Sequence, residues 1–282
     1  AGPAPAAAIE QWRHIRLFSP WQYNTDAAAA RLLAAAGWES PEPSALPTGG
    51  DLIDRYLSPL ASLPEIASRL HTGARVIAVT RLGMDKTHSR NRDTTPFVVR
   101  VEHADGEVRD YQAAAVIDAS GTWSTRNPLG TSGLPAVGEA AAAAHISSPL
   151  PDVLGRDREA FAGRTAVVIG AGHSAANTLI NLSELAGQVP GTKIAWAIRG
   201  ASAAKVYGGG DADGLAARGQ LGSRLRALVD DGTVELHTGF GIAGLTAADA
   251  GSVTLTATDG RTLDADVVVP ATGFRPNLDM LR

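Results

Sequence analysis

The 282-residue chain contains no cysteine, which removes disulfides and any C-x-x-C redox pair from these residues. Lysine is confined to Lys86, Lys193 and Lys205, so arginine carries nearly all the positive charge. With the many alanines, that bias reads as coding composition rather than function. No apolar run reaches the ~18 residues that a membrane-spanning helix needs. The opening AGPAPAAAIEQW lacks the basic-then-apolar layout of a signal peptide, and a cytoplasmic location is expected. A net charge of −4 and a pI near 6.0 give no electrostatic reason to expect nucleic acid or an anionic membrane as partner. His, Asp and Glu nowhere gather at metal-ligand spacing, so no metal is expected.

What is present is an ordinary globular composition, 44% apolar and 19% charged, at a length that suggests two domains. An internal repeat organises it. Residues 70–80 read LHTGARVIAVT and residues 236–246 read LHTGFGIAGLT. An alternating strand follows each, FVVRVEHADG at 97–106 and VTLTATDG at 253–260, and each closes on Asp-Gly, a hairpin signal because glycine tolerates positive φ. Each hairpin then feeds an expected buried strand ending in a small-residue turn, VIDASG at 116–121 and VVPATG at 268–273.

The second copy has a clear beginning. TAVVIGAG at 165–172 is a β-branched strand followed by a glycine turn. A helix is predicted over 173–186, with Ala175, Leu179, Leu182 and Ala186 on one face. A second strand, KIAWAIR, is predicted over 193–199. Together these form a right-handed β-α-β unit with parallel strands. Before the first copy the 69 residues hold no strand–glycine–helix pattern, and the expectation is that a β-α-β unit precedes Ala1 in a longer protein.

Residues 170–175 spell G-A-G-H-S-A, a G-x-G-x-x-A fingerprint between strand and helix. Gly170 permits the tight turn, Gly172 lets a pyrophosphate approach the backbone, and Ala175 lets helix and strand pack closely. The pyrophosphate would rest on helix N-terminal N–H groups, favoured by the helix dipole. His173 and Ser174 in the turn are expected to line the nucleotide, Ser174 as a hydrogen-bond donor. The second strand ends in Arg199, with Lys205 six residues later and no acid between them, which favours NADPH over NADH. A solvated surface arginine is the bland alternative.

GAGHSA, the turns ASG at 119–121 and ATG at 271–273, and the two LHTG strands resemble the flavin-containing monooxygenase-like members of the two-dinucleotide-binding flavoproteins. The resemblance covers most of the chain and implies FAD and NADPH as cofactors, the NADPH domain being inserted in the FAD domain. It makes the turns Ala119, Ser120, Gly121 and Ala271, Thr272, Gly273 crossover points between the domains. It places Val76 where the family's backbone meets the FAD adenine, and RLFSPWQYN at 16–24 beside the flavin ring. The family's first G-x-G-x-x-G and its C-terminal FAD segment have no counterpart in these residues. His145 lacks the family's monooxygenase spacing, and Asn24 is displaced from the flavin-side position near Ser19–Pro20.

The expected fold is therefore α/β, two Rossmann-like dinucleotide-binding units each with a β-meander. Residues 1–159 form a partial FAD-binding domain, 160–266 the NADPH-binding domain, and 267–282 a return to the FAD domain. The expected function is NADPH-dependent FAD oxidoreduction of monooxygenase type acting on a small molecule, with a homodimer left open. A reductase or oxidase without oxygen insertion, and a non-catalytic NADPH-binding module, are the alternatives. Cofactors carry such chemistry, so no general acid or base is assigned. Trp12, Trp21 and Tyr23 are either flavin-side aromatics or loop core, THSRNRD at 87–93 a solvated hairpin extension, Gly208–Gly210 after Tyr207 either a nicotinamide-side segment or merely a mobile loop, and Arg218 a second candidate cation.

Overall fold

A computed structural model describes residues 2–85, 87–208, 213–248 and 251–281. The chain divides into two compact units, residues 1–125 with 275–282, and residues 126–274. By packing, then, 126–159 and 267–274 go with the second unit, whereas the division by cofactor places them with the first. No helix among the described residues is long and apolar enough to cross a membrane.

The first unit opens with helices. The longest, α1 (Ala27–Ala35), starts at Asp26, whose carboxylate accepts the Ala28 and Ala29 N–H groups. It buries Ala29 and Leu33 against Trp21, Leu52, Tyr56 and Leu63. Thr48 and Asp51 form a reciprocal capping box at the next helical turn. Strands β1 (Ala74–Arg81), β2 (Phe97–His103) and β3 (Val108–Ala113) then make an antiparallel meander. Its β1–β2 connection carries 87–93 as exposed turns.

The second unit is a three-layer sandwich. Strands β4 (Thr165–Ile169), β5 (Lys193–Ala197) and β6 (Glu235–His237) lie parallel, and a second meander, β7 (Ile242–Ala247), β8 (Val253–Ala257) and β9 (Thr262–Ala265), follows before β10 (Val267–Pro270). The parallel sheet runs β10-β4-β5-β6. Because successive strand residues face opposite ways, Val168, Trp196 and Val269 meet Leu179, Leu182 and Leu225 of helices α2 (His173–Gln188) and α3 (Ala216–Asp230). Val167, Ala195 and Val268 meet Phe240, Ile242 and Leu255 on the meander side. Two-sided burial accounts for the unbroken apolar runs VVI and VVV.

The β-α-β prediction holds, with the helix running on to Gln188 and the second strand stopping at Ala197. One expectation fails. Residues 116–121 form no strand and are not buried: Ile117 is 90% exposed. Its second-copy counterpart, β10, is buried because it pairs with β4, and the described residues of the first unit include no parallel strand to play that part.

Candidate dinucleotide site

The strand–turn–helix junction is built by close approach. Gly170 has φ +134°, and a methyl group there would lie 2.0 Å from the Ala271 carbonyl oxygen. No other L-residue fits. The turn is fixed from beneath, where Trp196 Nε1 donates to the Gly170 carbonyl at 2.7 Å and Gly170 N–H donates to Ala197 O at 3.1 Å. Gly172 is the N-cap of α2 and is different in kind. Its φ of −107° is open to any residue, and a side chain there would meet nothing within 4 Å. The chain itself gives no reason for glycine at 172; open space before a helix N-terminus suits a ligand that approaches the backbone. Ala175 is fully buried in the helix–sheet core, as close packing requires.

A cleft of about 630 Å³ opens over this junction. It brings together Gly170, Gly172, Ser174, Arg199, Ala271, Thr272 and Gly273, seven residues singled out from the sequence. Arg199 is exposed at its edge, with Nη1 3.3 Å from the Thr131 carbonyl. His173 is not part of the lining. Burial, aided by the Arg218 charge and opposed by Asp213, holds its imidazole below the usual range. Arg218 is engaged elsewhere, donating to both Asp213 oxygens at 2.7–3.0 Å. Lys205 is exposed on the short helix Ala204–Tyr207 and does not line the cleft. Of the loop beyond Tyr207, residues 209 and 210 lie outside the described residues.

The remaining wall was not anticipated. Asn127, Pro128, Leu129, Gly130 and Gly133 also line the cleft. Asn127 Nδ2 donates to Thr272 O at 3.1 Å, Thr272 Oγ1 to Asn127 O at 2.7 Å, and Asn127 N–H to Gly273 O at 2.9 Å. The hint in the sequence was a turn-forming N-P-x-G at 127–130, six residues past the first small-residue turn at 119–121.

In the first unit, Val76 lies in β1, partly exposed, and Ala119, Ser120 and Gly121 are exposed in an irregular segment. Asn24 faces its own loop: its Nδ2 donates to Ser19 O and Pro20 O, and its Oδ1 accepts from Ser19 Oγ. Trp21 is core, Tyr23 is exposed, and Trp12 packs at a tilt on Trp123. His145 Nδ1 lies 3.2 Å from Asp266 O in the second unit. In the first unit Gly49 and Gly50 open a short helix, but its N-terminus is closed by the Thr48–Asp51 capping box, as that of α1 is by the Asp26 carboxylate. Space before the helix N-terminus is open at Gly172, whereas at Gly49 and Gly50 it is filled by Trp12 and Arg13. No metal-binding group of His, Cys, Asp and Glu occurs among the described residues.

A parallel β-α-β sheet with a glycine-turn cleft and an appended meander is the dinucleotide-binding half of the two-domain flavoprotein class. The chain belongs to the pyridine nucleotide-disulphide oxidoreductase family, whose model matches residues 79–282. The family is dependent on FAD and NAD(P)H. No curated protein sequence matches the chain. Its fold is similar to that of a bacillithiol disulfide reductase from Bacillus cereus (TM-score 0.65, 19% identity, 96% of this chain and 68% of that one). It is also similar to the FAD-bound desferrioxamine-pathway cadaverine monooxygenase of Erwinia amylovora (0.65, 13%, 99% and 72%). The ornithine N-hydroxylase of Kutzneria sp. 744 is a third such structure (0.62, 16%, 99% and 74%).

Proposed function

We propose that the cleft over Gly170–Ser174 is the NADPH site of a monooxygenase-like flavoprotein oxidoreductase acting on a small organic molecule. The observation that carries this reading is the convergence of Gly172, Ser174, Arg199 and Thr272–Gly273 on one cleft. The Gly170–Gly172 turn and the first N–H groups of α2 cradle the pyrophosphate, with Ser174 adding a hydroxyl donor. Arg199 takes the 2′-phosphate through charge-assisted hydrogen bonds. Thr272, Gly273 and the Asn127 loop close the opposite side. When bound, the two cofactors supply hydride transfer and delivery of electrons to oxygen or another acceptor.

Two points support the oxygenating branch over thiol–disulfide exchange. No cysteine is available on these residues, and the sequence resembles flavin-containing monooxygenases. Measuring oxygenated product against peroxide release in the enzyme distinguishes insertion from simple oxidase turnover.

The nucleotide assignment is tested at Arg199. A charge-assisted bond contributes roughly 1.5–3 kcal/mol, or about 10- to 150-fold in affinity. Arg199→Ala is expected to weaken NADPH by that factor and leave NADH nearly unchanged, read as the two kcat/KM values for flavin reduction. Arg199→Asp moves preference further toward NADH. Equal losses for both nucleotides would make Arg199 a surface residue and sink the 2′-phosphate assignment.

A further inference from the structure

Resting on that reading of the cleft, we infer that Glu139, which does not line it, positions its wall. Glu139 is one of two buried polar residues among the described ones, at 6% exposure. Its Oε2 accepts the N–H of Leu129 at 3.1 Å and that of Ala136 at 2.9 Å, and its Oε1 accepts Arg126 Nη1 at 3.1 Å. One carboxylate thus gathers both ends and the middle of the loop 126–136. Leu129 and Ala136 are themselves buried, at 3% and 6%, so loss of the acceptor leaves two buried N–H groups without their partner.

The loop so held is the cleft wall. Leu129 and Gly130 line the cleft directly, and Asn127 is cross-bonded to Thr272 and Gly273. Thr131 accepts from Arg199 at the far edge, and its own N–H donates to Ile242 O at 3.3 Å. Behind the carboxylate the loop is sewn to β7, Val137 N–H donating to Ala243 O and Leu245 N–H to Val137 O. The wall is therefore anchored at its back by backbone pairing and bonded at its front to Thr272, Gly273 and Arg199, and Glu139 ties Arg126, Leu129 and Ala136 together from within.

Through Asn127 the wall is bonded to Thr272 and Gly273, next to the Ala271 carbonyl that packs on Gly170, where on this reading the parts common to both nicotinamide nucleotides would sit. Its loss of shape should weaken NADPH and NADH together, unlike loss of Arg199. Gln at 139 keeps one oxygen for the Leu129 and Ala136 N–H groups and gives up only the ion pair with Arg126.

The experiment compares Glu139→Ala and Glu139→Gln in the full chain, titrating NADPH and NADH separately, with circular dichroism to confirm folding. Glu139→Ala is expected to raise both Kd values by about 10-fold at unchanged NADPH:NADH preference, and Glu139→Gln to recover most of the loss. Folded Glu139→Ala with wild-type Kd values would overturn the inference, as would a loss confined to NADPH. Should Glu139→Ala not fold, Glu139→Gln and Arg126→Met decide. Both are expected to show smaller, parallel increases in the two Kd values, and wild-type affinity in both refutes the role. Wild-type protein that binds neither nucleotide defeats the NADPH reading itself, an outcome distinct from all of these.

Discussion

The first and second meanders share their devices position by position. Gly73 and Gly239 sit at φ +61° and +62°. A bulge interrupts the first pairing between Val76 and Ala78, and the second between Ile242 and Gly244. Gly106 and Gly260 close the hairpins at φ +84° and +87°. Arg100 bonds Asp110 across β2–β3, and Thr254 bonds Asp264 across β8–β9. Burial separates them. Val253, Leu255 and Ala257 of β8 are all buried against the parallel sheet, whereas in β2 only Val101 is buried, and β3 exposes Val108 and Tyr111. Backbone devices are local and recur wherever their residues recur. Burial depends on a second layer, which the described residues supply to one copy and not to the other.

The largest expected effect tests the strand–glycine turn–helix junction at 165–173, which the described residues of the first unit do not repeat. Gly170→Ala forces a methyl into the Ala271 carbonyl, so loss of nucleotide binding and of a folded second unit is expected. Retained NADPH affinity and near-native circular dichroism would show that the junction yields, and that the close approach matters less than its geometry suggests.

Next comes a matched pair. Leu255→Ala should cost about 2–5 kcal/mol in denaturant unfolding, as for other fully buried leucines, while Val99→Ala, partly exposed in β2, should cost about 1 kcal/mol or less. Equal costs would break the contrast in burial between the meanders.

A third prediction concerns cofactor retention. Purified residues 1–282 should bind NADPH but retain little FAD, since among the described residues an open helix N-terminus behind a glycine turn is found at Gly172 in the second unit, whereas Gly49 and Gly50 of the first are capped and packed against Trp12 and Arg13. Stoichiometric yellow protein would mean that the first unit holds the flavin by other contacts.

The smallest effect lies in the first unit alone. Thr48 N–H and hydroxyl donate to the Asp51 carboxylate and hold it below its ordinary value near 3.8. A depressed folded pKa adds stability that is present above the ordinary value and is lost as pH falls through the depressed one. Thr48→Ala should cost about 1 kcal/mol near pH 7, with the difference from wild type shrinking below about pH 4. A cost that stays constant into acid would detach the cap from Asp51.

Sequence alone determined whatever depends on near neighbours along the chain. The strand–glycine–helix–strand order at 165–197 follows from β-branched runs, helical spacing and glycine punctuation. Seven lining residues of the cleft were legible because the fingerprint, the strand-end arginine and the second small-residue turn are each short contiguous signals. Only tertiary structure decided the rest. Residues 116–121 carry the same pattern as β10, yet a strand buried on both faces exists only where a neighbour accepts its hydrogen bonds. Asn127 reaches Thr272 across 145 residues of chain, and Glu139 gathers three donors that no periodicity marks. Such contacts leave no local trace, because a hydrogen bond between distant segments constrains their meeting in space and not the composition of either one.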